Sequence, residues 1–112
     1  MTGRPWLLHP EVLEELGSAA QWYEERAAGI GEDLVTLFER TLDAAALHAS
    51  PGTPVPYVRR ADVRWLLLTP RFPYGIVLLL EPRTVIAVTH LHRVPAYWRR
   101  RLPRRAATRR GS

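Results

Sequence analysis

Residues 63–93, VRWLLLTPRFPYGIVLLLEPRTVIAVTHLHR, decide the fold, because they read as three β-strands in succession. The predicted strands are Val63–Thr69, Tyr74–Leu80 and Thr84–His92, and each of the two short separators contains proline. Proline cannot donate a hydrogen bond to a sheet, so it marks turns and strand ends. Connections this short join antiparallel neighbours, since a parallel pair needs a crossover of about a dozen residues or more. The stretch therefore predicts an antiparallel sheet.

The apolar pattern of these strands predicts how the sheet is buried. The first two strands carry apolar residues at consecutive positions, which favours burial on both faces, at least in part. The third strand alternates, which places four of its residues on one face, namely Ile86, Val88, His90 and His92. The side chains of His90 and His92 are thus expected to project from the same face of the sheet, directly before Arg93.

Two helices are predicted ahead of the sheet. The first begins at residues 9–11, with proline at the first helical position, and ends within residues 27–31, where a glycine can supply the left-handed cap. The second runs from Glu32 to about Ala49. So short a connection predicts an antiparallel hairpin whose apolar stripes pack on the sheet. Residues 6–8, Trp-Leu-Leu, are a candidate edge strand.

These elements predict an α+β fold in which an N-terminal antiparallel helix hairpin packs on a three- to four-stranded antiparallel sheet. Residues 1–102 are assigned to a single domain. The proline-rich segment 50–56 is expected to be an extended surface loop. The arginine-rich tail, residues 103–112, carries little apolar content and is expected to be disordered.

Composition narrows the chemistry that the chain can perform. The 112 residues include no cysteine, so disulfides, thiolate metal sites and thiol catalysis are excluded. No metal-ligand spacing stands out, and neither a metal nor a cofactor is expected. The sequence contains no apolar run of the roughly 18 residues that a membrane-spanning helix needs, and no basic-then-apolar leader. A cytoplasmic protein without a membrane partner is expected.

Charge is distributed unevenly along the chain. Residues 1–48 hold nine acidic residues against three arginines, whereas residues 49–112 hold thirteen arginines against two acidic residues. The second half should therefore attract polyanions, and the first half should not. All sixteen basic residues are arginine. This uniformity is typical of a GC-rich genome, so arginine at any one position is weak evidence for bidentate phosphate binding.

Three blocks of sequence resemble a known family. They are Tyr23 in Trp-Tyr-Glu, the segment FPYGI at residues 72–76, and the segment AVTHLHRVPAYW at residues 87–98 followed by Arg101. Together they resemble the plasmid stabilisation branch of the RelE/ParE superfamily of bacterial toxins, over about residues 6–101. The one departure is Val94, which stands where the family pattern has a second arginine.

The resemblance implies the toxin of a type II toxin–antitoxin module. Its partner would be a small cognate antitoxin that wraps the toxin and neutralises it. RelE-like members cleave messenger RNA in the ribosomal decoding site, without a metal. ParE-like members share the fold, lack the nuclease residues and inhibit DNA gyrase. The sequence leaves both the ribosome with its mRNA and DNA gyrase open as targets.

If the chain is a nuclease, it needs a base for the 2′-OH, an acid for the leaving oxygen, and positive charge at the phosphate. Three residues are candidates for proton transfer: His90, His92 and Tyr97. Three arginines are candidates for holding the phosphate or target: Arg64, Arg71 and Arg93. Each of these residues could instead have a purely structural role. A half-buried histidine can bond to the backbone, an arginine can pair with an acid, and the tyrosine can cover the core.

Two further readings remain. One is a small basic nucleic-acid-binding module that uses the arginine-rich tail, with affinity that falls steeply as salt rises. The other is an inactive toxin remnant.

Overall fold

The computed structural model describes residues 6–94 and 96–104, which form an α+β fold of two helices and a five-stranded mixed sheet. The elements in chain order are β1 (Leu7–Leu8), α1 (Val12–Glu24), α2 (Ile30–Ala45), β2 (Thr53–Pro54), β3 (Val63–Leu67), β4 (Tyr74–Leu80), β5 (Arg83–His90) and a short 3₁₀ helix (Tyr97–Arg101). The strand order across the sheet is β1-β5-β4-β3-β2.

The sheet is larger than the three or four antiparallel strands that the sequence predicts. Strands β2 to β5 do pair antiparallel, but β1 pairs parallel to β5, which its long connection through both helices permits. The candidate edge strand at residues 6–8 is thus present as β1, in the other orientation. The predicted surface loop at residues 50–56 contributes β2, whose Thr53 lies opposite Trp65.

Two of the three predicted central strands end early. β3 ends at Leu67 instead of Thr69, and β5 ends at His90 instead of His92. The chain turns after His90, because the backbone N–H of Arg93 donates to the carbonyl of His90 at 3.0 Å. The prediction that both histidines lie on one strand is therefore wrong, although the turn keeps the two side chains adjacent.

A β-bulge interrupts the alternation predicted for β5. Leu78 pairs with Val85 and Val77 pairs with Ala87, so the ladder skips Ile86. As a result Val85 lies in the core beneath the helices, whereas Ile86 and Ala87 both lie in the core on the other side. The prediction of one face for Ile86 and Val88 was wrong for this reason, since a bulge of one residue exchanges the faces of everything before it.

Both faces of the sheet are buried, as the apolar runs predict. One core joins the sheet to the helices, with Val12, Leu34, Phe38, Leu42, Phe72, Ile76 and Leu78 among its members. The second core lies under the 3₁₀ helix and the segment after β2, and includes Val55, Val63, Val77, Leu79, Ile86 and Trp98. The central strands therefore lie between two apolar layers.

The connection between the helices depends on two glycines and one carboxylate. Gly29 has φ of 89°, a left-handed conformation that glycine adopts without strain. Glu24 accepts hydrogen bonds from the backbone N–H groups of Gly29, at 2.8 Å, and Gly31, at 3.0 Å. These bonds satisfy donors at the start of α2, so α2 begins at Ile30, two residues before the predicted Glu32.

The far end of α2 also differs from the prediction, since the helix ends at Ala45 and not at Ala49. Arg83 from β5 donates to the carbonyls of Ala46, His48 and Ala49 just beyond it. Within the described ranges 6–94 and 96–104, no helix has the length and apolar character needed to cross a bilayer. Of the predicted disordered tail 103–112, residues 105–112 lie outside the described part of the chain.

Candidate functional site

A cavity of about 570 Å³ lies between α1 and the end of β5. One stripe of α1 forms a wall, because residues three and four apart on a helix share a face. The opposite wall comes from the ends of β4 and β5 and from the C-terminal segment. The lining residues are Glu11, Glu14, Glu15, Ser18, Ala19, Trp22, Tyr23, Tyr74, Val88, His90, Arg93 and Arg101.

The floor of the cavity is organised by an ion pair between Glu15 and Arg101. Arg101 donates to Glu15 at 2.8 Å and to Glu11 at 3.0 Å, and only 5% of the Arg101 side chain is exposed. Burial raises the pKa of Glu15, but its hydrogen bonds from Arg101, Tyr97 and the Val88 backbone outweigh burial and leave that pKa lowered. Glu15 is therefore ionised at neutral pH.

The same two side chains cover the edge of β5 beyond β1. β1 pairs with β5 only at Thr84 and Val85, so the edge of β5 is not paired with β1 beyond that point. Glu15 accepts from the Val88 N–H at 3.0 Å, and Arg101 donates to the Ile86 carbonyl at 3.1 Å. Side chains thus satisfy backbone groups that a longer β1 would otherwise satisfy.

Tyr97 lies behind this ion pair and shares its carboxylate. The Tyr97 hydroxyl donates to Glu15 at 2.7 Å. Burial and the hydrogen bond to the negative Glu15 raise the pKa of Tyr97 to about 12. The phenol therefore keeps its proton at neutral pH, and its ring presents an aromatic face to the arginines.

Arg93 stacks on that face. Its guanidinium carbon lies 3.8 Å from the Tyr97 ring centroid, whereas the carbon of Arg101 lies 5.3 Å from it. A guanidinium over an aromatic ring is held by cation–π attraction and leaves its N–H edge available to a ligand. Because Arg93 is exposed and lines the cavity, it can present this edge to an anion there.

His90 is half-buried and is fixed on two sides. Its ring packs edge-on against Tyr74, with centroids 5.0 Å apart, and its Nδ1 accepts a hydrogen bond from the His92 backbone N–H at 3.0 Å. A backbone N–H can donate only to a ring nitrogen that carries no proton, so the neutral imidazole carries its proton on Nε2. His92 is exposed, and its ring centroid lies 5.3 Å from that of His90.

The structure thus brings four of the six predicted site residues together and separates two. His90, His92, Arg93 and Tyr97 form one corner at the end of β5. Arg64 instead donates to the carbonyls of Pro51 and Gly52, where it holds the segment before β2. Arg71 pairs with Asp33 of α2 at 2.6 Å. Neither Arg64 nor Arg71 lines the cavity that contains His90.

The α1 wall was missed by reasoning from the sequence, which treated the acidic residues of this helix as solvent-exposed surface. A signal was present, since Glu11, Glu15, Ser18 and Trp22 recur at spacings of three and four. Arg101 is the last residue of the family-like pattern, but nothing in the sequence indicated that its buried side chain pairs with Glu15. Within the described residues, no group of three or more metal-ligating side chains comes together.

This geometry has two chemical capacities. The imidazoles of His90 and His92 have ring nitrogens that can accept or donate a proton, and Arg93 can bind an anion beside His90. The glutamates on the α1 wall add negative charge on the opposite side. Comparison of the chain with models of known protein families, with curated proteins and with solved structures found no match.

Proposed function

We propose that this chain is a RelE/ParE-type toxin that arrests growth by cleaving RNA and is neutralised by a cognate antitoxin. The family-like sequence blocks and the α+β architecture support the proposal, with the two helices read as the antiparallel hairpin of that fold. The observation that carries it is the corner at the end of β5. There His90 lines the cavity together with the exposed Arg93, and the ring of His92 lies 5.3 Å from the ring of His90.

In the proposed reaction, one histidine removes the proton from a ribose 2′-OH and the resulting oxygen attacks the adjacent phosphorus. The bond to the 5′ oxygen breaks, and the other histidine protonates that leaving oxygen. Arg93 stabilises the charge that develops on the phosphate oxygens. The reaction gives a 2′,3′-cyclic phosphate and a free 5′-OH and consumes no other reactant.

In this scheme Tyr97 acts as a positioning residue. Its proton is held by Glu15, and its pKa of about 12 makes it a poor proton donor at neutral pH. Its ring supports Arg93 at 3.8 Å. His90 is bonded through Nδ1 to the His92 backbone, so its Nε2 is the atom available for proton transfer.

A second candidate function is gyrase inhibition without catalysis. The observation that favours it is the composition of the cavity, where Glu11, Glu14 and Glu15 face the histidine corner. Arg101 is paired with Glu11 and Glu15, and neither Arg64 nor Arg71 lines the cavity. Of the arginines in its lining, Arg93 is therefore the one left to offset the negative charge that opposes the binding of RNA. A toxin that acts only by docking on a protein target would not need the proton-transfer groups.

Regulated expression of the chain alone in a bacterial host, with pulse labelling of protein and DNA synthesis, tests the proposal. We expect growth to stop and protein synthesis to fail first. His90→Asn removes the imidazole, while the Asn carbonyl can still accept from the His92 N–H. We expect this variant to lose toxicity while its thermal unfolding stays close to that of the parent.

His48→Asn is the matched control, because His48 is exposed and lies beyond the end of α2, outside the cavity. It should remain toxic. If the parent chain leaves growth unchanged, the toxin proposal is wrong. If DNA synthesis stops first and His90→Asn stays toxic, the nuclease mechanism is wrong and gyrase inhibition replaces it.

A further inference from the structure

A second, smaller cavity lies on the side of the sheet that carries the second core. Its volume is about 140 Å³, which is the scale of one large side chain. Its walls are mostly apolar, and several belong to the core that contains Trp98. The lining residues are Val55, Pro56, Tyr57, Trp65, Thr89, His90, Leu91, Arg93, Val94, Ala96 and Trp98.

Two apolar side chains on the rim of this cavity are turned to solvent. Tyr57 is 85% exposed and Val94 is 71% exposed. Tyr57 also has φ of 67°, a left-handed conformation that costs a non-glycine residue about 1 kcal/mol or more. The backbone is held there, because Arg99 donates to the Tyr57 carbonyl at 3.1 Å. The fold thus holds an aromatic side chain outward at the mouth of an apolar cavity.

Two arginines lie at this cavity. Arg93 lines it, and Arg99 lies against the backbone of Tyr57 on its rim. Nearby Arg60 is matched by Asp62, with the two side chains 2.8 Å apart. A ligand that covers this surface would therefore gain from carrying negative charge.

We propose that this cavity takes one apolar side chain from an acidic segment of another protein. The flanking carboxylates of that segment would meet Arg93 and Arg99, while Tyr57 and Val94 would cover the inserted side chain. A nucleotide carries negative charge on its phosphate, but its base does not suit the walls of the cavity. The polar edge of the base would lose water among apolar side chains that offer few hydrogen-bond partners. An apolar side chain has no such cost.

This inference goes beyond the growth-arrest proposal, because binding is measured on the purified chain and needs no toxic activity. The probe is a short synthetic peptide with one phenylalanine between glutamates. Two comparison peptides replace the phenylalanine by alanine, or the glutamates by lysines. Trp65 and Trp98 line the cavity, so intrinsic tryptophan fluorescence reports its occupation.

We expect the acidic phenylalanine peptide to bind about tenfold more tightly than the alanine peptide, since burying a phenylalanine side chain contributes at least that factor. The lysine peptide should not bind. Tyr57→Asn removes the rim aromatic but suits the left-handed backbone, and should weaken binding severalfold. Leu47→Asn is the matched control, because Leu47 is also 85% exposed and lies outside this cavity. It should bind like the parent.

Val94→Glu provides a second variant on the rim and should repel the acidic peptide. The proposal is overturned if the alanine or lysine peptide binds as tightly as the acidic phenylalanine peptide, or if both rim variants bind like the parent. It is also overturned if single-stranded RNA, and not the peptide, changes the fluorescence in a manner that Tyr57→Asn abolishes. That result would assign the cavity to a nucleobase.

Discussion

Glu15 connects three parts of the molecule through one carboxylate. It belongs to α1, and it binds the Val88 backbone of β5 and the side chains of Tyr97 and Arg101. Because the pKa of Glu15 is lowered in the folded state, its contribution to stability is present above the unfolded pKa and is lost as pH falls through the folded value. The candidate site and the fold therefore depend on the same acid.

Tyr97 gives the opposite pH dependence. In the unfolded chain its phenol ionises near the ordinary value of 10.0, whereas in the folded chain it ionises near 12. Between these values only the unfolded state releases the proton, so stability should fall as pH rises from 10 to about 12. Tyr97→Phe should reduce this loss and lower the free energy of unfolding at neutral pH by about 1 kcal/mol.

Urea unfolding of both proteins at neutral pH and across the alkaline range measures this effect. Tyr57→Phe is the control, because Tyr57 is 85% exposed. It should leave the alkaline loss of stability as it is in the parent. An alkaline loss of the same size in Tyr97→Phe and the parent would show that the hydroxyl of Tyr97 does not carry the effect.

At the scale of elements, the helices are joined by a close contact at Gly31. A Cβ on this residue would lie 2.3 Å from the Ala20 carbonyl oxygen, which is backbone and cannot rotate away. Gly31→Ala should therefore force the helices apart and cost about 2 kcal/mol, in the range measured for overpacked cores. The measurement is the free energy of unfolding in urea.

Gly17→Ala is the matched control within α1. A Cβ there meets nothing within 4 Å, and Gly17 is exposed inside the helix. The substitution should stabilise the protein by about 0.5–1 kcal/mol, because alanine loses less backbone entropy in a helix than glycine does. Two glycine-to-alanine changes with opposite signs would locate the close contact at Gly31. Stabilisation by both changes would contradict it.

The strands show which elements can be read from the sequence and which cannot. β4 matches its predicted bounds, Tyr74–Leu80, because its apolar run ends against proline-containing turns. The bulge at Ile86 was not predictable, since nothing in the alternation of β5 marks an extra residue. The parallel pairing of β1 could not be predicted either, because nothing in residues 6–8 indicates which strand they pair with.

For the candidate site, reasoning from the sequence located the corner but not its support. His90 is the last residue of β5, and Arg93 and Tyr97 follow it closely in sequence. The proximity of these three residues could therefore be predicted. The pairing of Arg101 with Glu15 joins residues 86 positions apart. It depends on how α1 lies across the edge of β5, which no local pattern encodes. The structural partners of Arg64 and Arg71 could not be predicted, because an isolated arginine looks the same in the sequence whether it binds backbone carbonyls, an acid or a phosphate.

At the scale of the whole molecule, the sheet separates two surfaces of different character. The helices supply most of the acidic residues, whereas Arg93 and Arg99 lie at the cavity beside the second core. The large cavity lies where these surfaces meet, which explains its mixed lining of glutamates and basic side chains. The small apolar cavity lies on the side of the second core. The two cavities share His90 and Arg93 and differ in the rest of their lining.

The position of the C-terminal segment depends on Trp98, because this residue fixes the 3₁₀ helix to the sheet. Trp98 is 1% exposed and packs with apolar residues of the second core, on a helix of only five residues. So short a helix has little stability of its own, so its position must come from packing. Trp98→Ala should cost about 3–5 kcal/mol and loosen the segment that carries Tyr97 and Arg101.

Trp22→Ala is the comparison, because Trp22 is 51% exposed on α1. It removes a side chain of equal size and should cost less than about 1 kcal/mol. Urea unfolding gives both free energies, and hydrogen exchange at Val88 reports whether its bond to Glu15 survives. We expect faster exchange at Val88 in Trp98→Ala alone, because only that change releases Arg101 from Glu15. Equal losses of stability in the two variants would show that the second core does not hold the C-terminal segment.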